Sequence, residues 1–140
     1  MNILLAVDGS PYTKKMLAYL ATHAEMFGNK NTFSLLNVQL PLPPRARAAV
    51  GADVVKSYHE EEATKVFSPV LKFLKRNGIE PDTLSKVGNP GELIAKTAES
   101  GKFDLLIMGS HGHGALGNLV MGSVATKVLA HCGVPVLLVR

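Results

Sequence analysis

The chain has 140 residues, of which 46% are hydrophobic and 19% charged, so it suits one globular domain with a substantial core and excludes a disordered chain. Its formal charge of +4 is a weak basic bias, and the scattered lysines and 6% aromatics do not form the basic stripe of a nucleic-acid binder. Cys132 is the sole cysteine, so no internal disulfide can form and a reducing compartment is expected.

The chain opens on Asn2–Val7, an apolar β-rich run that lacks a basic flank and is too short for a signal peptide. No apolar run approaches the roughly 18 residues of a membrane span, so a cytoplasmic protein with no membrane partner is expected. Ser10-Pro11 follows, an N-cap residue before proline at the first helical position. Leu17, Leu20, Ala21, Ala24 and Phe27 then mark one face of a helix that Gly28 ends. Thr32–Val38 reads as a second strand. Leu40-Pro41-Leu42-Pro43-Pro44-Arg45-Ala46-Arg47 reads as a proline-rich loop, either a stiff connector or a rim that offers Arg45 or Arg47 to an anion. A second helix is expected from about Val54 to Arg76, with Val55, Tyr58, Val66, Val70, Leu71 and Leu74 inward and a kink at Pro69. Thr83–Val87 is the third strand, and a helix from about Gly91 to Glu99 follows it. Leu105–Met108 is the fourth strand. A last helix ends near Cys132, with Ala125, Val128, Leu129 and Cys132 on one face, and Val134–Val139 is the fifth strand.

The order βαβαβαβαβ implies a single α/β domain over residues 1–140, a parallel sheet with helices on both faces. Ligands of such sheets bind outside the C-terminal ends of the strands, at the point where strand order reverses. Three loops reach that edge: Asp8-Gly9-Ser10, Val38-Gln39-Leu40, and the glycine-rich stretch from Met108 to Ser123. Within the last, Gly112-His113-Gly114-Ala115-Leu116-Gly117 matches G-x-G-x-x-G. The dinucleotide fingerprint also wants an acid at the end of the next strand, where this chain has only Arg140. Gly-Lys-Ser and Gly-Lys-Thr are absent, which excludes a P-loop. A second spacing is more informative: Gly109, Gly112 and Gly122 with Ser123 form G-x2-G-x9-G-[S/T]. A helix starting at Ser123 spares Gly122 a helix-interior cost of about 1 kcal/mol and aims its free amides at an anion.

That spacing resembles the nucleotide-binding signature of the universal stress protein family, in its ATP-binding branch. Separate blocks carry the resemblance in order along the whole chain: Ile3 to Ser10, Val87-Gly88-Asn89-Pro90-Gly91-Glu92-Leu93-Ile94, Asp104 to Gly112, Gly122-Ser123-Val124-Ala125, and Val134 to Val139. It implies a flavodoxin-like three-layer sandwich of strand order 3-2-1-4-5, like that of adenine-nucleotide alpha-hydrolases. It also implies ATP or AMP, with Mg²⁺, across the strand ends. By that resemblance Asp8 and Val38 would contact the nucleoside end, and Met108 and Gly109 would line the adenine–ribose region. Gly112, Gly122, Ser123 and Val124 would offer donors to phosphates, with His111 and His113 in the same loop. A homodimer through Val134–Val139 is implied as well, and that edge is apolar until Arg140.

Apart from His111 and His113, nothing sits at metal-ligand spacing, and no dedicated nucleophile–base pair is apparent, so neither a metal site nor a catalytic residue is expected. A stress-response or signalling protein follows, with at most slow ATP hydrolysis. The alternative is a dimeric adaptor of the same fold that binds no nucleotide. His113 stands where ATP-binding relatives often carry Arg or Lys. A neutral imidazole supplies less charge than a permanent cation, so the affinity is expected to be lower or pH-dependent.

Overall fold

The five apolar runs become the five strands of one parallel sheet in a computed structural model that describes residues 1–114 and 119–140. In chain order the elements are β1 (Asn2–Ala6), α1 (Pro11–Thr22), α2 (Ala24–Phe27), β2 (Thr32–Gln39), α3 (Pro44–Val50) and α4 (Ala52–Arg76). They continue with β3 (Asp82–Val87), α5 (Pro90–Ser100), β4 (Leu105–Gly109), α6 (Ser123–His131) and β5 (Val136–Val139). The strand order is β3-β2-β1-β4-β5, as the resemblance implied. Register is fixed on both sides of β1, with Ile3 opposite Phe33 and Leu105, and Ala6 opposite Leu36 and Met108.

β1 is central and its alternate side chains feed two cores. Ile3 and Leu5 meet Met16 and Leu20 of α1 and Phe67, Val70 and Leu74 of α4. Leu4 points the other way, against Ile94 and Ala98 of α5 and Val128 of α6. Ile3, Leu4 and Leu5 are fully buried, each adding about 1.5–3 kcal/mol of transfer free energy. The continuous apolar run of β1 is therefore a consequence of cover on both faces. β3, an edge strand, shows no such continuity and is largely exposed.

Four details depart from the sequence reading. The stretch read as a proline-rich loop forms α3 from Pro44: proline suits the first helical position, and Arg-Ala-Arg-Ala-Ala after it are strong helix formers. Gly51, at φ 84°, ends α3 and turns the chain into α4. The first helix stops at Thr22, where the His23 ring stacks on Tyr19 at 4.1 Å and its Nδ1 bonds the Tyr19 carbonyl; the short α2 then leaves Ala24 exposed. Tyr58 and Leu129, read as inward, are 42% and 45% exposed, while Met16 and His59 are buried. β5 begins at Val136 because Pro135 has no N–H to give, although its carbonyl still accepts from Leu106 N at 2.9 Å.

α4 runs helical through Pro69. Proline there cannot donate to the Lys65 carbonyl and its ring crowds that same carbonyl. Pro69 is exposed, so an alanine would restore the bond without disturbing the core. Pro69→Ala is expected to stabilise the fold, by up to about 3 kcal/mol, in urea unfolding. Leu4→Ala is expected to cost about 2–5 kcal/mol by the same measurement, because Leu4 is fully buried and its removal leaves a cavity in the core.

Candidate functional site: a cleft at the strand ends

β1 and β4 pair as far as Ala6 and Met108 and then part. The chain after β1 goes into α1, on one face of the sheet, and the chain after β4 leads to α6, on the other. A cleft of about 800 Å³ opens between them. Its floor is apolar, from Ala6, Leu36, Val38, Ile94 and Met108. Where the ladder ends, Val7 N still bonds Leu36 O at 2.9 Å. The next carbonyl, Val7 O, is taken by the side chain of Asn37, whose Nδ2 donates at 2.9 Å. Asn37 thus finishes a rung that β2 cannot make with its backbone. It is 4% exposed, and its Oδ1 has no hydrogen-bond partner among the described residues.

The turn after β1 is held by Asp8. Its Oδ1 accepts from Ser10 N at 2.9 Å and from Thr13 Oγ1 at 3.0 Å, and its own N–H donates to Thr13 Oγ1 at 3.2 Å. Ser10 caps α1 by accepting from Tyr12 N at 3.2 Å. Asp8 therefore orders this turn, and its carboxylate also faces the cleft. Its Oδ2 lies 2.8 Å from where a Cβ at Gly112 would stand, so only glycine lets the second loop come this near. Gly109 is crowded in the same way by Tyr12 Cβ, at 2.6 Å.

Two histidines fasten the loop after β4. His113 Nε2 lies 2.7 Å from the Asp8 carbonyl, and His111 Nε2 lies 2.8 Å from the Leu119 carbonyl. A carbonyl only accepts, so both Nε2 atoms carry hydrogen. His111 Nδ1 is 2.8 Å from Ser110 Oγ and, in the neutral ring, accepts from that hydroxyl. The His111 ring also packs on Tyr12, with centroids 4.9 Å apart. Ser110 is 2% exposed and does not line the cleft, so this Ser–His contact is a fastening and not a nucleophile facing a ligand.

α6 starts as the glycine spacing requires. Gly122 is its N-cap, with extended backbone and no side-chain cap, and its N–H donates back to Ser110 O at 2.8 Å. Ser123, Val124 and Ala125 follow as the first helical residues, and all line the cleft. Their amides have no intrahelical acceptor.

The cleft brings together Asp8, Val38, Met108, Gly109, His111, Gly112, His113, Gly122, Ser123 and Val124. Gly117, the last glycine of the G-x-G-x-x-G match, lies with Ala115, Leu116 and Asn118 outside the described residues. Arg45 and Arg47 do not line the cleft. Sequence reading missed Thr13 and Asn37, which carry no motif, and the wall that α4 contributes through Tyr58, Glu62, Lys65 and Val66. No motif marked that wall: Glu62 and Lys65 only border the apolar stripe of a helix whose core side was legible.

Comparison with known proteins agrees with this architecture. The family model described as the universal stress protein family matches residues 1–140. A Thermus aquaticus protein named "Universal stress protein in QAH/OAS sulfhydrylase 3'region" is 34% identical over 140 residues, covering 99% of this chain and 98% of its own. The solved structure of MJ0577 from Methanocaldococcus jannaschii superposes with a TM-score of 0.81 at 29% identity, covering 99% of this chain and 94% of that one. A universal stress protein from Archaeoglobus fulgidus, solved in complex with dAMP, has a TM-score of 0.71 at 21% identity, covering 100% and 98%. The chain belongs to the universal stress protein family.

Proposed function

We infer that the protein binds an adenine nucleotide, ATP or AMP, in the cleft between β1 and β4, and serves stress response or signalling through that binding. One observation carries the reading: the uncapped start of α6 opens into the same cleft as the Asp8 turn and the glycine loop. Free amides and the positive end of the helix dipole favour phosphate there. Val38 and Met108 offer an apolar bed for a base, beside Gly109. Asp8 suits ribose hydroxyls. Gly112, Gly122, Ser123 and Val124 present donors to phosphates, and His111 and His113 hold the loop that carries them. The dAMP bound by the Archaeoglobus relative is consistent with this ligand class.

Mg²⁺ would accompany a triphosphate as its counterion, held mainly by the phosphates. Among the described residues no three His, Cys, Asp or Glu side chains cluster as a metal cage. The protein is read as a binder, and any ATP hydrolysis would be slow, since the loop positions phosphate without a general base. Homodimerisation through β5 completes the reading. The carbonyls of Pro135 and Val139 accept from Leu106 and Ser110, so alternation turns the N–H and C=O of Leu138 toward the open edge.

Ser123→Pro is a clean probe of the phosphate donors. A side chain at Gly122 would crowd His111 Cα at 3.1 Å and Ser110 O at 3.2 Å. Proline at the first helical position keeps α6 and removes one amide and the hydroxyl. The extended backbone of Gly122 already suits a residue before proline. By calorimetry with Mg²⁺, ATP is expected to bind the nucleotide-free protein and to bind Ser123→Pro about tenfold or more weakly. No binding to the unsubstituted protein at millimolar ATP would favour the adaptor reading instead. Sedimentation should give twice the mass of one chain, and Leu138→Pro should shift it toward the monomer while far-UV circular dichroism keeps its α/β shape.

A further inference from the structure

The cleft has more negative charge than a nucleotide site needs. Asp8 and Glu62 both line it, and His113 stands where a permanent cation would help. Lys65 is the only lysine or arginine among the described residues that line it. Its Nζ is 2.9 Å from Glu62 Oε1, one helical turn earlier on α4. The Glu62 carboxylate holds the Lys65 ammonium above the usual lysine range, with the neighbouring Glu61 adding to the effect. The ammonium is therefore charged at any physiological pH.

Position relates this pair to the phosphate loop. A Cβ at Gly9 would stand 3.6 Å from Val66 Cγ2 and 3.9 Å from His113 Nε2. The α4 segment next to Lys65 and the first turn of the glycine loop thus flank the same residue. The Lys65 side chain is 71% exposed, so its four-carbon stem is free to swing, and exposed ion pairs such as this one are weakly held.

We propose that Lys65 is the mobile cation of the site: it pairs with Glu62 in the free protein and exchanges that partner for the phosphates of the bound nucleotide. This rests on the nucleotide reading above and names a residue that adds, beside the α6 amides, to the site's preference for a charged phosphate chain over the bare nucleoside. Glu62 then acts against binding, both by competing for Lys65 and by repelling phosphate. The two substitutions should therefore move affinity in opposite directions, which a purely structural ion pair would not do.

The test is calorimetric titration of ATP with Mg²⁺, and of adenosine, into the unsubstituted protein, Lys65→Gln, Glu62→Gln and the control Lys72→Gln, at low and at physiological salt. Lys65→Gln is expected to weaken ATP about three- to tenfold, and less so at the higher salt, with adenosine changed by less than about twofold. Glu62→Gln is expected to strengthen ATP about two- to fivefold. Melting temperatures should stay together, because the pair is exposed. If both substitutions leave the ratio of ATP to adenosine affinity unchanged, or shift both ligands alike, the exchange is wrong while the nucleotide site stands. If the unsubstituted protein binds neither ligand, both readings fall.

Discussion

A parallel sheet that is extended outward from β1 and β4 in opposite directions has to send its chain away on opposite faces at that one edge. β1 continues into α1, which shares a core with α4, and β4 continues toward α6, which shares the other core with α5. The connections diverge, and the backbone groups at the two strand ends lose their ladder partners together. Everything in the cleft answers that loss. Asn37 supplies the rung Val7 would otherwise lack, the Asp8 carboxylate gathers donors from the turn, and His113 covers the Asp8 carbonyl. The Val7 carbonyl is buried, and left without a donor it would cost about 1–3 kcal/mol, so Asn37 is as much a part of the fold as of a site.

This double duty gives the cleft its shape before any ligand arrives. Asp8 is held by two donors on one oxygen, which fixes the carboxylate plane. The loop after β4 is pulled against it through Gly112, where a methyl group would meet Asp8 Oδ2. Histidine suits the fastening at 113. Its flat ring reaches the Asp8 carbonyl with one nitrogen and needs no counter-charge, whereas an arginine there would bring a charge and a longer stem. Rigid placement of this kind would lower the ordering cost of binding on the nucleotide reading proposed above.

The fold was legible because its signals are redundant. Continuous apolar runs at β1 and β4, Ser10-Pro11 at one helix start and Gly122-Ser123 at another each point to the same alternating pattern. Where local signals conflicted, the sequence reading erred. Prolines in the run from Leu40 to Arg47 suggested a loop, while the alanines and arginines after Pro44 favoured the helix that forms. Tyr58 sat at the right period for the core, yet it is exposed and lines the cleft, while its neighbour His59 turns inward to Gln39. The residues of the glycine spacing line one side of the cleft. The opposite wall, from α4, could not be read from any motif, because Glu62 and Lys65 are ordinary surface types whose meaning comes only from what they face.

On the nucleotide reading proposed above, the distribution of charge favours one orientation of the ligand. A phosphate beside Asp8 would meet a carboxylate whose neighbours already donate to it, and two like charges a few ångströms apart in a partly enclosed cleft repel by more than they would in water. Hydroxyl groups, which can donate, have no such penalty there. At the other end, the amides of Ser123, Val124 and Ala125 carry partial positive charge and lack acceptors. If the proposal holds, a molecule with hydroxyls near its middle and an anionic tail would run along the cleft from the Asp8 turn toward α6. The apolar floor at Val38 and Met108 would then face the flat, uncharged part. The reverse orientation would bury charge against Asp8 and leave the start of α6 without a partner.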